Sequence, residues 1–152
     1  MATNISHSPS ETEALGELWG RLAPSGLVIG LSGDLGAGKT QLVKGIARGL
    51  GHSARVHSPT FTLVNIYRGG RLVLFHLDLY RLETRDQIAA AGLEEFLEPD
   101  GVTVIEWAER WYGQGQNSGV AGSHGFPACF RRVCIESLSE TSRRIVYEDF
   151  GA

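Results

Sequence analysis

Lysine is scarce in this 152-residue chain, where only Lys39 and Lys44 stand among 14 basic residues. Basic residues do not outnumber acidic ones, 14 against 17, and the pI lies near 5.9. That balance excludes a general positive field of the kind that draws a protein onto a nucleic-acid backbone or an anionic membrane, although a local basic patch is still allowed. Long apolar runs are missing as well. No stretch approaches the roughly 18 apolar residues that cross a bilayer, and Met1 to His7 has neither the basic start nor the apolar core of a targeting segment. The expectation is a soluble cytoplasmic protein without membrane contact. Cysteine is confined to Cys129 and Cys134, which form no CxxC pair and have no matching second pair for zinc, so reduced cysteines are expected. No internal repeat is evident. The length suits one compact α/β domain spanning residues 1–152.

Glycine is plentiful, with 20 residues, and three of them punctuate Gly33-Asp34-Leu35-Gly36-Ala37-Gly38-Lys39-Thr40. This is a complete GxxxxGK[ST] string, which ordinary residue usage would produce by accident in roughly 0.5% of chains this long. Its context adds weight. Leu27 to Ser32 upstream is a short apolar run suited to a strand buried on both faces. Downstream, Leu42, Val43, Ile46, Ala47 and Leu50 recur at helical spacing, with Gly49 and Gly51 placed to end the helix. Glycines let the backbone curl until successive N–H groups face inward, and the following helix adds the positive end of its dipole. The string predicts a nucleotide cradle built from Gly33, Asp34, Gly36, Ala37, Gly38, Lys39 and Thr40. Lys39 would reach the β- and γ-phosphates, and the Thr40 hydroxyl would ligate Mg²⁺. A bare Asp34 carboxylate beside phosphate would repel it, so a cationic neighbour is expected.

Elsewhere, Ser10-Glu11-Thr12-Glu13 fits a capping box ahead of the stripe Leu15, Leu18, Trp19 and Leu22, which predicts a helix over 11–22. Thr60 to Tyr67 and Arg71 to Tyr80 are rich in β-formers around Gly69-Gly70 and predict a hairpin. In its second strand Val73, Phe75, Leu77 and Leu79 share one face, with His76, Asp78 and Tyr80 on the other. Thr84 to Leu97 reads as helical, weakened by Gly92, and Val102 to Ile105 reads as a buried strand ending at Glu106-Trp107. Gly113 to Gly125 is too polar and glycine-rich to order itself, which predicts a mobile loop. Arg131 to Glu136 and Arg144 to Glu148 predict a closing hairpin.

A phosphate loop needs a metal-holding acid, commonly at the C-terminal edge of a nearby strand. Asp78 and Glu106 both qualify; either can hold Mg²⁺ while the other positions the attacking water. Ser58-Pro59-Thr60 stands where a switch segment can offer a hydroxyl, or is simply a rigid turn. His76 reads as a packed histidine. Trp107 reads as core or partner-facing before nucleotide-stacking.

Four stretches, GDLGAGKT at 33–40, SPTFTLV at 58–64, HLDLYR at 76–81 and IEWAER at 105–110, stand in the order and spacing of the TsaE family, which the chain resembles over about 10–110. That family is the P-loop ATPase of bacterial tRNA threonylcarbamoyladenosine biosynthesis. The resemblance implies a three-layer, P-loop NTPase-like α/β fold with a mainly parallel central sheet and β-hairpins. It implies Mg²⁺-dependent ATP hydrolysis in support of the TsaB and TsaD proteins, with tRNA reached only indirectly. By the same likeness Gly36 to Gln41 wrap the phosphates, Lys39, Asp78 and Glu106 are catalytic, and Thr40 and Glu106 hold Mg²⁺. Asp78 and Thr60 serve the γ-phosphate side, Trp107 matters to nucleotide response or complex activity, and Pro9 to Thr12 lie near the adenine. After Arg110 the chain departs from the family pattern, and either Arg143 or Arg144 can reach phosphate.

Other readings compete. A small-molecule kinase would close an arginine-bearing lid, and no Arg-rich insertion is present. A GTPase would carry NKxD, and neither lysine follows an asparagine, which favours adenine. A nucleotide-sensing module with little turnover would share the same ground-state binding groups.

Overall fold

A computed structural model of the chain describes residues 1–34, 36–59, 62–113 and 127–151. Among these residues the strands are β1 (Ala2–Ser6), β2 (Val28–Ser32), β3 (Val64–Tyr67), β4 (Leu74–Asp78), β5 (Val102–Glu106), β6 (Cys129–Ser137) and β7 (Arg143–Gly151). Interleaved with them are helices α1 (Pro9–Leu22), α2 (Lys39–Gly49), α3 (Arg85–Ala90) and α4 (Glu109–Tyr112), with a 3-10 turn at Leu93–Phe96. The strands form one seven-stranded sheet in the order β1-β7-β6-β2-β5-β4-β3. Its centre, β6-β2-β5-β4, is parallel, while β1–β7, β7–β6 and β4–β3 pair antiparallel. The sheet is therefore mixed rather than mainly parallel, with three pairings of each kind. Strands joined by a short turn can only run antiparallel, so both hairpins impose that direction at the sheet edges.

Because the central strands are covered on both sides, their residues are apolar almost without interruption. Ile29, Leu31, Val104 and Val133 face α1 and α2. Val28, Leu77, Ile105 and Phe130 face the opposite layer, where Ile88 and Leu93 meet them. β4 carries its polar face into the interior: His76 and Asp78 are buried along with the apolar face.

Several boundaries differ from the sequence reading. α1 begins two residues earlier than its predicted first residue, with Ser8 rather than Ser10 at the cap; Ser8 Oγ accepts from Glu11 N at 3.1 Å, and the Glu11 carboxylate accepts from His7 N at 2.8 Å. Pro9 explains the shift, since its missing N–H costs nothing in the first turn and its fixed φ suits a helix start. The predicted helix over Thr84 to Leu97 is split at Gly92, whose φ of 77° ends α3 before the 3-10 turn. The predicted hairpin strands shorten to β3 and β4, and the closing hairpin lengthens to β6 and β7. β1 and α4 carried no expectation. The Gly113 to Gly125 stretch lies outside the described residues beyond Gly113.

The most demanding contact is between α1 and α2. A Cβ on Gly16 would lie 2.4 Å from Leu42 O, one on Gly20 2.3 Å from Ile46 O, one on Gly45 2.1 Å from Glu13 O and one on Gly49 2.1 Å from Glu17 O. Backbone meets backbone, so no side chain can rotate to make room. Gly45→Ala is expected to push the helices apart and destabilise the fold by about 3 kcal/mol, lowering Tm by roughly 6–12 °C. Calorimetric melting of the variant checks this; an unchanged Tm would contradict the packing described.

Candidate functional site

β2 is followed by α2 in one layer and its neighbour β5 by α4 in the other, so the two connections diverge beyond the C-terminal strand ends, where open α/β sheets place a binding crevice. The register places Leu31 opposite Glu106 and Glu106 opposite Asp78, which brings both acids to the same edge as the glycine-rich turn. Gly33 has φ 148°, and a Cβ there would lie 2.4 Å from Ile135 O. Gly38 has φ 102° at the N-cap of α2. Side chains other than hydrogen are strained in that region, so the string needs glycine here for backbone reasons. Ala37 N donates to Asp34 O at 3.0 Å and closes the turn.

Lys39 is buried, and its ammonium donates to Gly33 O at 2.5 Å and to Asp34 O at 2.8 Å. The same Nζ sits 4.1 Å from the centre of the Trp107 ring. At the second residue of α2, the Thr40 hydroxyl lies 3.1 Å from each Glu106 carboxylate oxygen. His76 Nε2 is 2.5 Å from Glu106 Oε2, with both side chains almost fully buried. Asp78 accepts from Ser58 Oγ at 2.7 Å and from Tyr80 N at 2.9 Å. Trp107 has φ 62°, an uncommon value for a bulky residue, and its ring lies 5.1 Å from that of Tyr80. A cavity of about 400 Å³ is lined by Gly36, Gly38, Lys39, Thr40, Gln41, Ser58, Asp78, Tyr80, Glu106 and Trp107.

The donors fit a small hard cation. Among the described residues no group of three or more His, Cys, Asp or Glu is placed to hold a metal by itself. One hydroxyl and a carboxylate, with a second carboxylate in register beside them, are the oxygen donors that a magnesium ion would accept, since magnesium commonly keeps several waters and takes few protein ligands. Thr40 and Glu106 are the residues that would hold it.

Burial lowers the Lys39 pKa below the ordinary lysine value, opposed by the negative charges of Glu106, Glu109, Asp78 and Asp34. Lys39 is thus the cation whose charge Asp34 feels. Glu109, at the start of α4, shows the reverse effect: burial raises its carboxyl pKa, and its Oε1 has no hydrogen-bond partner among the described residues. An acid with a raised folded pKa binds its proton more tightly when folded, so stability falls as pH rises from the unfolded value through the raised one. Glu109→Gln is expected to raise Tm by a few degrees at neutral pH and to flatten that fall, with little change at pH 4. Melting curves across that pH range check the sign.

The structure thus brings together Lys39, Thr40, Gln41, Asp78, Glu106 and Trp107 around one cavity, with Gly36 and Gly38 on its wall. Gly33 and Asp34 contribute carbonyls to Lys39 and line a second cavity of about 750 Å³ next to Glu109, Tyr112, Arg132 and Cys134. Ala37 is buried in the turn. Thr60 lies outside the described residues, whereas Ser58 of the same stretch binds Asp78. Pro9 to Thr12 open α1 just after Ser6, which pairs with Arg143 across β1 and β7, and they do not line the 400 Å³ cavity. Of the two arginines left open, Arg143 touches the glycine-rich turn, and Arg144 pairs with Glu136 at 2.9 Å. Tyr80 on the cavity wall and the bond from His76 to Glu106 were not anticipated; period-two alternation put His76 and Asp78 on one face but said nothing of the neighbouring strand.

The sequence model of the family described as threonylcarbamoyl adenosine biosynthesis protein TsaE matches residues 6–125. The tRNA threonylcarbamoyladenosine biosynthesis protein TsaE of Bacillus subtilis is 46% identical over 101 residues, which cover 66% of this chain and 63% of that protein. The protein of the same description from Synechocystis is 47% identical, covering 65% of each chain, and that from Treponema pallidum is 46% identical, covering 70% of this chain and 78% of its own. The chain therefore spans somewhat under two thirds of the length of the Bacillus and Synechocystis relatives. In three dimensions it is similar to the crystal structure of Bacillus subtilis YdiB, with a TM-score of 0.74 and 32% identity over 96% of this chain and 83% of that one.

Proposed function

The chain belongs to the TsaE family of tRNA threonylcarbamoyladenosine biosynthesis, and from that premise we propose that it binds and hydrolyses ATP with Mg²⁺ in support of turnover by TsaB and TsaD. One observation carries the reading: Lys39, Thr40, Asp78 and Glu106, drawn from three separate elements, converge on one cavity at the positive end of α2. On this reading the fold is a P-loop NTPase-like domain, and residues 33–41 form its phosphate cradle.

Main-chain amides of 36–41 grip the phosphates, and the Lys39 ammonium exchanges the Gly33 and Asp34 carbonyls for β- and γ-phosphate oxygens. Thr40 and Glu106 would hold a magnesium ion, which when bound would supply charge stabilisation to phosphate. Asp78, fixed by Ser58 and the Tyr80 amide, orients the attacking water on the γ-phosphate side. The family resemblance assigns Thr60, which lies outside the described residues, to the same γ-phosphate role. Partner dependence has a local basis: without nucleotide, Lys39 is already satisfied by its own loop and by the face of Trp107, so something must favour the exchanged arrangement. We assign that role to contact with TsaB and TsaD transmitted through Trp107, and place the protein in the cytoplasm beside them. No described helix is long and apolar enough to cross a membrane. With no overall basic charge, tRNA is reached through the protein assembly rather than by direct binding.

Phosphate release measured for the chain alone and with TsaB and TsaD tests the reading. Turnover that rises with both partners is expected. ATP-dependent phosphorylation of a metabolite, or tight ATP binding without turnover in every mixture, would contradict it.

A further inference from the structure

The guanidinium of Arg143, at the start of β7, reaches behind the glycine-rich turn. Its Nε donates to Ala37 O at 3.0 Å and its Nη2 lies 3.5 Å from Gly36 O. Its Nη1 donates to Ser139 O at 2.7 Å and Ser142 O at 3.0 Å, which ties the side chain to the turn between β6 and β7. Arg143 lies outside the residues matched by the family model, in the part of the chain that departs from the family pattern.

A peptide unit is planar and trans, so its C=O and the next residue's N–H point in opposite directions. Holding the Ala37 carbonyl against Arg143 therefore turns the Gly38 N–H the other way, and Gly38 lines the 400 Å³ cavity. The φ of 102° at Gly38 leaves this plane free to rotate, because glycine offers no steric barrier to the alternatives. An amide that must face phosphate then needs something to hold it there before ligand arrives.

We propose that Arg143 is a positioning residue of the phosphate cradle, fixing the 37–38 peptide plane so that the Gly38 amide is presented to a phosphate group in advance of binding. The inference rests on the phosphate-binding reading of residues 33–41. It differs from a simple charge effect in a way that side-chain geometry can separate. The Gln side-chain nitrogen is bonded to Cδ just as Arg Nε is, so Arg143→Gln can rebuild the bond to Ala37 O without charge. Arg143→Lys keeps the charge and places a methylene where Nε stood.

The experiment measures Mg·ATP affinity by equilibrium dialysis for the 152-residue chain and its R143Q, R143K and R143A variants, with melting curves to verify folding. Positioning predicts a Kd about tenfold higher for R143A and R143K, the loss of one charge-assisted hydrogen bond. R143Q should stay within about threefold of the wild type, rescued by its neutral donor. In the nucleotide-free protein the Gly38 amide resonance should move in R143A and R143K but not in R143Q. Wild-type affinity in R143K with a loss in R143Q would overturn the proposal in favour of charge alone. An unchanged Kd in R143A, with the wild type binding, would overturn it outright. Failure of the wild-type protein to bind would remove the phosphate-binding reading and this inference together.

Discussion

Lys39→Ala is expected to raise the Kd for Mg·ATP by about 10- to 100-fold and to lower partner-stimulated hydrolysis by a further factor of about ten or more. The two effects differ because the ammonium already has partners in the free protein, where it bonds Gly33 O and Asp34 O and lies over Trp107. On the proposed reading, binding would exchange those contacts for phosphate oxygens, so the ground state would gain only the difference. In the transition state the phosphoryl oxygens carry more redistributed charge, and no carbonyl substitutes for a cation there. Folding should be little affected, since removing the side chain also removes a buried charge held by backbone carbonyls. Equilibrium binding and single-turnover phosphate release, run on the same preparation, separate the two factors. Retained affinity and turnover would take Lys39 out of the site.

Glu106→Gln is expected to lower Mg²⁺-dependent hydrolysis on the order of 100-fold and to shift the magnesium requirement to higher concentration, while magnesium-free nucleotide binding holds or improves. The substitution keeps the shape and an acceptor oxygen for Thr40 and His76 but discards the charge. Glu106→Ala differs. It leaves His76, which is fully buried, without the carboxylate at Nε2, and its Nδ1 already has no partner among the described residues. An unpaired buried ring nitrogen costs about 1–3 kcal/mol, so the alanine variant should melt well below the glutamine variant. Magnesium titrations of phosphate release, with melting curves of both variants, test this. Equal magnesium dependence in Glu106→Gln and wild type would exclude Glu106 as a ligand.

The parts of the site that were legible in the sequence are those encoded over a few residues. The string Gly33 to Thr40 carries its own backbone requirements, and Asp78 and Glu106 could be located because each ends an apolar run. That they stand in register on adjacent parallel strands is a property of pairing, which no local pattern carries. The same holds for His76, legible as buried but not as the neighbour of Glu106, 30 residues away. Arg143 contacts Ala37 across 106 residues, and only the folded sheet brings β7 to the turn. β1 escaped notice because its burial alternates weakly at a sheet edge and its five residues include Thr3, Asn4 and Ser6. Of the four glycines between α1 and α2, only Gly49 carried a reading, as a residue placed to end the helix; that Gly16, Gly20, Gly45 and Gly49 meet the facing backbone follows from two helices at once. Pro9 moved the helix start because a proline in the first turn outweighs a capping pattern two residues later.

The proposed ATP binding depends on a main-chain cradle at the end of β2. Isothermal calorimetry of ATP titrated into the 152-residue chain, with and without magnesium, addresses this most directly. A saturable one-to-one isotherm is expected, tighter with magnesium than without and abolished or strongly weakened by Lys39→Ala. A flat titration of the folded protein, across concentrations that would reveal even millimolar affinity, would contradict it.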